Sequence, residues 1–199
     1  MPDKLAAAKL HSEISACTLC ADKLPLGPRP VVQFSGKSRV LFVGQAPGTK
    51  VQTSGIPWDD DSGDRLREWL GIDQEIFYNP DEIALIPMGF CYPGKAKGGD
   101  QPPRPECAPH WHDRVFEILP KTRITLLVGT YAQKAYMPET RKLTLAQRVN
   151  DWTRSADQTT PIPLPHPAWR SKLFMAKNPW FEDKTLPQLR QAIEAALKR

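Results

Sequence analysis

The chain has 199 residues, with 27 Lys and Arg against 22 Asp and Glu, for a formal net charge of +5. Apolar side chains make up 40%, enough for a packed core and against disorder. No apolar run reaches the roughly 18 residues of a membrane span, and Met1–Ala16 lacks the apolar stretch of a secretion signal. These features predict a soluble cytoplasmic protein with no membrane association, monomeric, and folded as one domain over residues 1–199.

In chain order, Leu5, Ala8, Leu10 and Ile14 repeat at a helical spacing over Asp3–Ser15. Ala21–Pro30 is a Pro/Gly loop, Val31–Phe34 suits a short strand, and Gly36–Ser38 suits a turn. Arg39–Val43 (RVLFV) has the unbroken apolar character of a buried strand, stopped by Gly44-Gln45-Ala46-Pro47-Gly48. Ser62–Leu70 starts with a capping serine and places Leu66, Trp69 and Leu70 on one helical face. Glu82–Phe90 contains a second apolar run broken by Pro87, and Cys91–Cys107 carries loop residues throughout. A helix is predicted over Cys107–Leu119, a buried strand over Ile124–Val128, and a helix over Tyr131–Met137. A short strand follows at Pro161–Leu164, and an amphipathic helix at Leu186–Leu197. Strands alternating with helices predict a parallel-sheet α/β sandwich.

Two counts depart from average usage: 21 prolines, about twice the ordinary 5% or so, and four cysteines. A reducing compartment disfavours two disulfides. Cys17 and Cys20 form a C-x2-C pair, with Cys91 and Cys107 much later. Four thiolates can close a tetrahedral zinc site or hold a four-iron cluster, and the spacing does not separate the two. Unrelated buried thiols and a redox pair are the other readings, although redox C-x2-C pairs normally sit at a strand–helix junction.

The loop Val43–Gly48 leaves the carboxyl end of a predicted strand, where open α/β sheets place ligands. It lacks the G-K-[ST] of a phosphate-binding loop and the G-x-G-x-x-G of a dinucleotide loop, so a tight strand exit explains it equally well. Gly55-Ile56-Pro57-Trp58 presents an aromatic on a stiff turn, able to stack a planar base. His166 lies between Pro165 and Pro167 after another predicted strand, followed by Trp169 and Arg170. Its imidazole titrates near neutral pH and can donate to a developing oxyanion; a structural histidine and a core-anchoring Trp169 are the plainer readings. The basic balance fits a nucleic-acid partner and ordinary solubilising charge alike.

Together these segments resemble the uracil-DNA glycosylase superfamily, and most closely its branch carrying an iron–sulfur cluster. The resemblance rests on Cys17/Cys20, VGQAPG at Val43–Gly48, GIPW at Gly55–Trp58, Cys91 to Pro105-Glu106-Cys107, LLVGTYA at Leu126–Ala132, and HPAWR at His166–Arg170. It implies a three-layer α/β/α sandwich with a central four-stranded parallel sheet. It also implies a [4Fe–4S] cluster on Cys17, Cys20, Cys91 and Cys107, with zinc as the alternative, and DNA containing a deaminated base as the partner. The reaction implied is hydrolysis of the N-glycosidic bond of uracil, or a similar base, flipped out of DNA. Trp58 stands where the family stacks a Phe on uracil. His166 matches the histidine that hydrogen-bonds the base, and Gly44, Ala46, Pro47 and Gly48 would shape the pocket. Arg170 and Lys172 would grip phosphate. Two positions depart from the branch. Gln45 stands in place of a Glu, and it can orient water but cannot act as a carboxylate base. Pro87 stands in place of a base-reading Asn and has neither side-chain donor nor N–H. A non-catalytic or altered-specificity nucleic-acid-binding relative is the alternative these departures allow.

Overall fold

The computed structural model describes residues 2–155 and 161–198. Its elements are α1 (Pro2–Ser15), β1 (Val40–Val43), α2 (Thr49–Ser54), α3 (Asp61–Leu70), α4 (Gln74–Phe77) and β2 (Ile83–Leu85). There follow β3 (Lys95–Ala96), β4 (Gly99–Asp100), α5 (Cys107–Ile118), β5 (Ile124–Val128), α6 (Thr130–Tyr136), α7 (Leu145–Ser155), β6 (Ile162–Leu164), α8 (Ser171–Lys177) and α9 (Leu186–Leu197). The apolar runs at Val40, Ile83, Ile124 and Ile162 become the strands of one sheet in the order β2-β1-β5-β6, and every pairing is parallel. Both faces of such a sheet must be covered, which is why its strands read as near-continuous apolar runs.

Alternate residues along each strand serve opposite faces. Val40, Phe42, Ile83, Leu85, Leu126, Val128, Ile162 and Leu164 pack against Leu66, Trp69 and Leu70 of α3, Val149 and Trp152 of α7, and Leu189 and Ile193 of α9. Leu41, Val43, Ala84 and Leu127 face the other way, onto Leu10 and Ile14 of α1, Trp111 and Val115 of α5, and Ala132 of α6. These two layers about one sheet make the three-layer α/β/α sandwich expected.

Three local expectations are corrected. Val31–Phe34 is not a sheet strand: it runs antiparallel beside β2 and makes only one bridge, Gln33 to Leu85. Pro30 has no N–H to give, and Gln33 spends its side-chain amide on the carbonyls of Phe77 and Ile83. The segment thereby covers the outer edge of β2 instead of extending the sheet. α3 is capped by Asp60 rather than Ser62, with one Asp60 carboxylate oxygen accepting from the N–H groups of Ser62 and Gly63 at 3.0 and 2.9 Å. The Cys91–Cys107 stretch is not loop throughout, because β3 and β4 pair as a small antiparallel hairpin. Helix α7 went unforeseen, although Leu145, Val149 and Trp152 carry the helical period that α7 turns to the core.

Candidate active site

Strand ends decide where the motifs meet. β1 runs into Gly44–Gly48, β2 into Pro87, β5 into Gly129 and β6 into His166, all at the carboxyl edge of one parallel sheet. There Gly44, Gln45, Ala46, Pro47, Gly48, Trp58, Pro87 and His166 line a single open pocket, with Val31, Val51, Pro57, Asp60 and Leu85 completing the wall. Residues more than a hundred positions apart in sequence thus share one cavity.

Two glycines make room for the aromatic wall. A Cβ on Gly44 would stand 3.0 Å from Cζ2 of Trp58, so the indole lies directly on the strand exit. A Cβ on Gly63 would stand 1.7 Å from the Trp58 carbonyl oxygen, a contact that only glycine avoids. Trp58 itself has φ 58, the one positive φ outside glycine among the described residues. A bulky residue in that region costs on the order of 1–3 kcal/mol and persists only where its surroundings hold it. Its ring lies 5.6 Å from the His166 imidazole, at 30° between planes.

His166 is seated by the end of β5. Gly129, at φ 85, leaves space that a Cβ would fill to within 3.6 Å of the His166 Cβ, and its N–H donates to Leu164 at 2.9 Å. Buried Gln133 donates to the carbonyls of Leu127 and Leu164 at 3.0 and 2.9 Å, locking the last residues of β5 and β6 together. Burial lowers the His166 pKa, and the negative charges of Asp60 and Asp100 act in the opposite direction. At neutral pH the ring is therefore uncharged, with one N–H to donate.

The polar groups around it divide sharply. Gln45 donates its amide nitrogen to the carbonyl of Gln101, at 3.4 Å. Pro87 offers no side-chain polar atom, and its carbonyl accepts from Nε2 of buried His112 at 3.0 Å. Because that oxygen can only accept, Nε2 of His112 carries the proton, and Nδ1 accepts from the Tyr136 hydroxyl. The neighbouring N–H groups of Met88 and Gly89 are spent on Gly44 and Gln45. Asp60 was not foreseen as a site residue. Its second carboxylate oxygen lies 3.9 Å from where a Gly48 Cβ would stand and has no hydrogen-bond partner among the described residues. Its sequence signal was available: an N-capping Asp two residues after Trp58.

The four cysteines converge elsewhere. All are free thiols, and Cys17, Cys20, Cys91 and Cys107 line a second, smaller pocket with Leu19, Leu24, Pro28, Pro30, Phe90, Arg104 and Trp111. Among the described residues, no three His, Cys, Asp or Glu side chains are grouped closely enough to hold one metal ion. Burial pushes the Cys91 thiol up to about 11 and the Cys107 thiol up to about 12, and raises that of Cys20. The Phe90 N–H donates to Cys107 Sγ at 3.3 Å. Two further buried donors, Nε1 of Trp111 and Nε of Arg104, have no hydrogen-bond partner among the described residues.

Arg170 and Lys172 stand outside the pocket, both exposed. Arg170 donates to the Gly98 carbonyl at 3.0 Å and lies over the Trp169 ring. Trp169 is 72% exposed, so it is not a core anchor, and Leu173 beside it is 62% exposed.

A parallel sheet between two helical layers, with its pocket beyond the carboxyl ends of the strands, defines an open-sheet α/β protein with the pocket where such sheets place ligands. The sequence profile of the uracil DNA glycosylase superfamily matches residues 32–190, most of the chain, and the protein belongs to that superfamily. The match includes Cys91 and Cys107 and leaves Cys17 and Cys20 outside it. Among the described residues no helix is long and apolar enough to cross a membrane.

Proposed function

We propose that this protein is a DNA glycosylase that hydrolyses the N-glycosidic bond of uracil or another deaminated base flipped out of DNA. The observation that carries this reading is the pocket that joins Gly44–Gly48, Trp58 and His166 in a member of this superfamily. Trp58 supplies a face on which a flipped base stacks. Neutral His166 donates its N–H to a base carbonyl, and that bond strengthens as negative charge grows on the departing base. Outside the pocket, Arg170 and Lys172 offer phosphate contacts beside exposed Trp169 and Leu173, a pairing of cations and aromatic surface suited to nucleic acid.

We also propose that Cys17, Cys20, Cys91 and Cys107 hold a [4Fe–4S] cluster. Two features support it: the four thiols line one cavity, and two residues of the same lining, Trp111 and Arg104, carry buried N–H groups without a hydrogen-bond partner among the described residues. An anionic cluster accepts such donors. When bound, it supplies a covalent tie between the N-terminal segment and the Cys91–Cys107 excursion, and the hydrolytic step does not pass through it. Zinc is the alternative. Iron and zinc content with an absorption spectrum decides between them: bound iron with a thiolate-to-iron charge-transfer band supports the cluster, and stoichiometric zinc without iron overturns it.

The test of function is incubation with single- and double-stranded oligonucleotides carrying uracil, hypoxanthine or xanthine, followed by alkaline cleavage of abasic sites. Strand cleavage at one or more of these bases is expected. A second reading, a non-catalytic DNA-binding member, is favoured by the uncharged Gln45, whose amide nitrogen is spent on Gln101, and by the spent carbonyl of Pro87. It predicts no product from any base, together with binding that weakens steeply with salt.

A further inference from the structure

We propose that Asp60, rather than Gln45, is the group that accepts the proton of the attacking water. This inference rests on the glycosylase reading above. The pocket wall holds one carboxylate, Asp60, alongside His166 and Trp58. Its side chain does two jobs with two oxygens: Oδ1 caps α3 through Ser62 and Gly63, which fixes the carboxylate's orientation, and Oδ2 stays without a protein partner beside Gly48. The other acidic side chain near Gly48, Asp100, is not part of the wall, and its Oδ1 is held by Lys95 at 2.7 Å. Gln45 lines the pocket but carries no charge: its amide nitrogen donates to the Gln101 carbonyl at 3.4 Å, and its amide oxygen is far too weak a base to take a water proton. Asp60 is therefore the only anion in the wall with a free acceptor among the described residues.

In the step assigned, a water oxygen bonds to the anomeric carbon as the C–N bond breaks, and the bonding pair leaves with the base. The water proton passes to Asp60 and then to solvent, while the base anion is stabilised by the His166 N–H and later takes a proton from solvent. Until the new bond is complete, the Asp60 carboxylate also faces the positive charge developing on the sugar.

Asp60→Asn separates this role from the capping role, because Asn caps a helix about as well as Asp. Single-turnover excision, oligonucleotide binding and thermal melting are measured for wild type, Asp60→Asn and Asp61→Asn. Asp61 loses the same charge one residue away, where it is exposed and paired with Lys50. Asp60→Asn is expected to lose about 10²-fold or more in excision rate with binding within about threefold and melting within about 2 °C of wild type. Asp61→Asn is expected to stay within about threefold of wild type in rate. Near-wild-type excision by Asp60→Asn overturns the assignment, as does a loss matched by equal losses in binding or melting. A wild-type protein that excises no base overturns the glycosylase reading and this assignment together, an outcome distinct from an active wild type with an unaffected variant.

Discussion

Two of the protein's pockets, the one at the strand ends and the one lined by cysteines, are built in opposite ways. The candidate base pocket hangs from the carboxyl ends of the sheet strands, so its Gly44 loop, Pro87 and His166 are placed by backbone pairing within one rigid sheet. The cysteine cavity is assembled from segments with no place in that sheet: the end of α1, the Pro-rich loop after it, and the start of α5. One site is placed by the strands, and the other by helices and loops packed beside them. Mutations should therefore divide, with pocket residues governing rate and cysteines governing stability.

The largest effect is expected for His166→Ala. Loss of a donor to the departing base should lower single-turnover excision about 10²–10³-fold, while metal content and melting temperature remain near wild type. An equal loss in DNA binding and rate would make His166 a DNA contact only. The cysteine cavity should respond the other way. Cys107→Ala should remove the bound metal and cost about 3 kcal/mol or more, a fall of roughly 10 °C in Tm for a chain of this size. Unchanged melting and metal content would show that the cavity holds nothing structural.

His112 joins the two regions, since it lies on α5, which begins at Cys107, and donates to the Pro87 carbonyl in the pocket wall. Burial lowers its pKa from 6.5 to about 4. The unfolded chain takes up a proton near pH 6.5 that the folded ring refuses until about pH 4. Stability contributed by the neutral ring is thus complete above pH 6.5 and falls as the pH drops to 4, by about 3 kcal/mol in all. Chemical denaturation across that range should show the slope, and His112→Gln should flatten it. The smallest effect is assigned to Gly63→Ala. On an open helix this change gains up to about 1 kcal/mol, but here the new Cβ meets the Trp58 carbonyl at 1.7 Å. A destabilisation of about 2 kcal/mol is expected, read as a lower Tm; a raised Tm would show that the turn holding Trp58 is not strained.

Much of this was legible before folding because it is local. An unbroken apolar run such as Val40–Val43 needs cover on both faces, and strand exits rich in Gly and Pro mark where a parallel sheet opens to ligands. The order of the motifs led to the superfamily, and the sheet and its layers followed. Less legible were features set by partners distant in the chain. Val31–Phe34 has strand-like residues but lies against a sheet edge where Pro30 and Gln33 limit pairing. Trp169 had the composition of an anchor and is left exposed.

By itself, then, the sequence determined the strand-forming runs, the candidate pocket loops and the four cysteines, since each depends on residue type and short spacing. Only the tertiary structure decided that Gln45 spends its amide nitrogen on Gln101, that Pro87 is held by His112, and that Asp60 brings to the pocket a carboxylate oxygen without a partner among the described residues. Side-chain direction depends on which hydrogen-bond partners the completed fold brings within about 3 Å, and those partners here lie up to dozens of residues away.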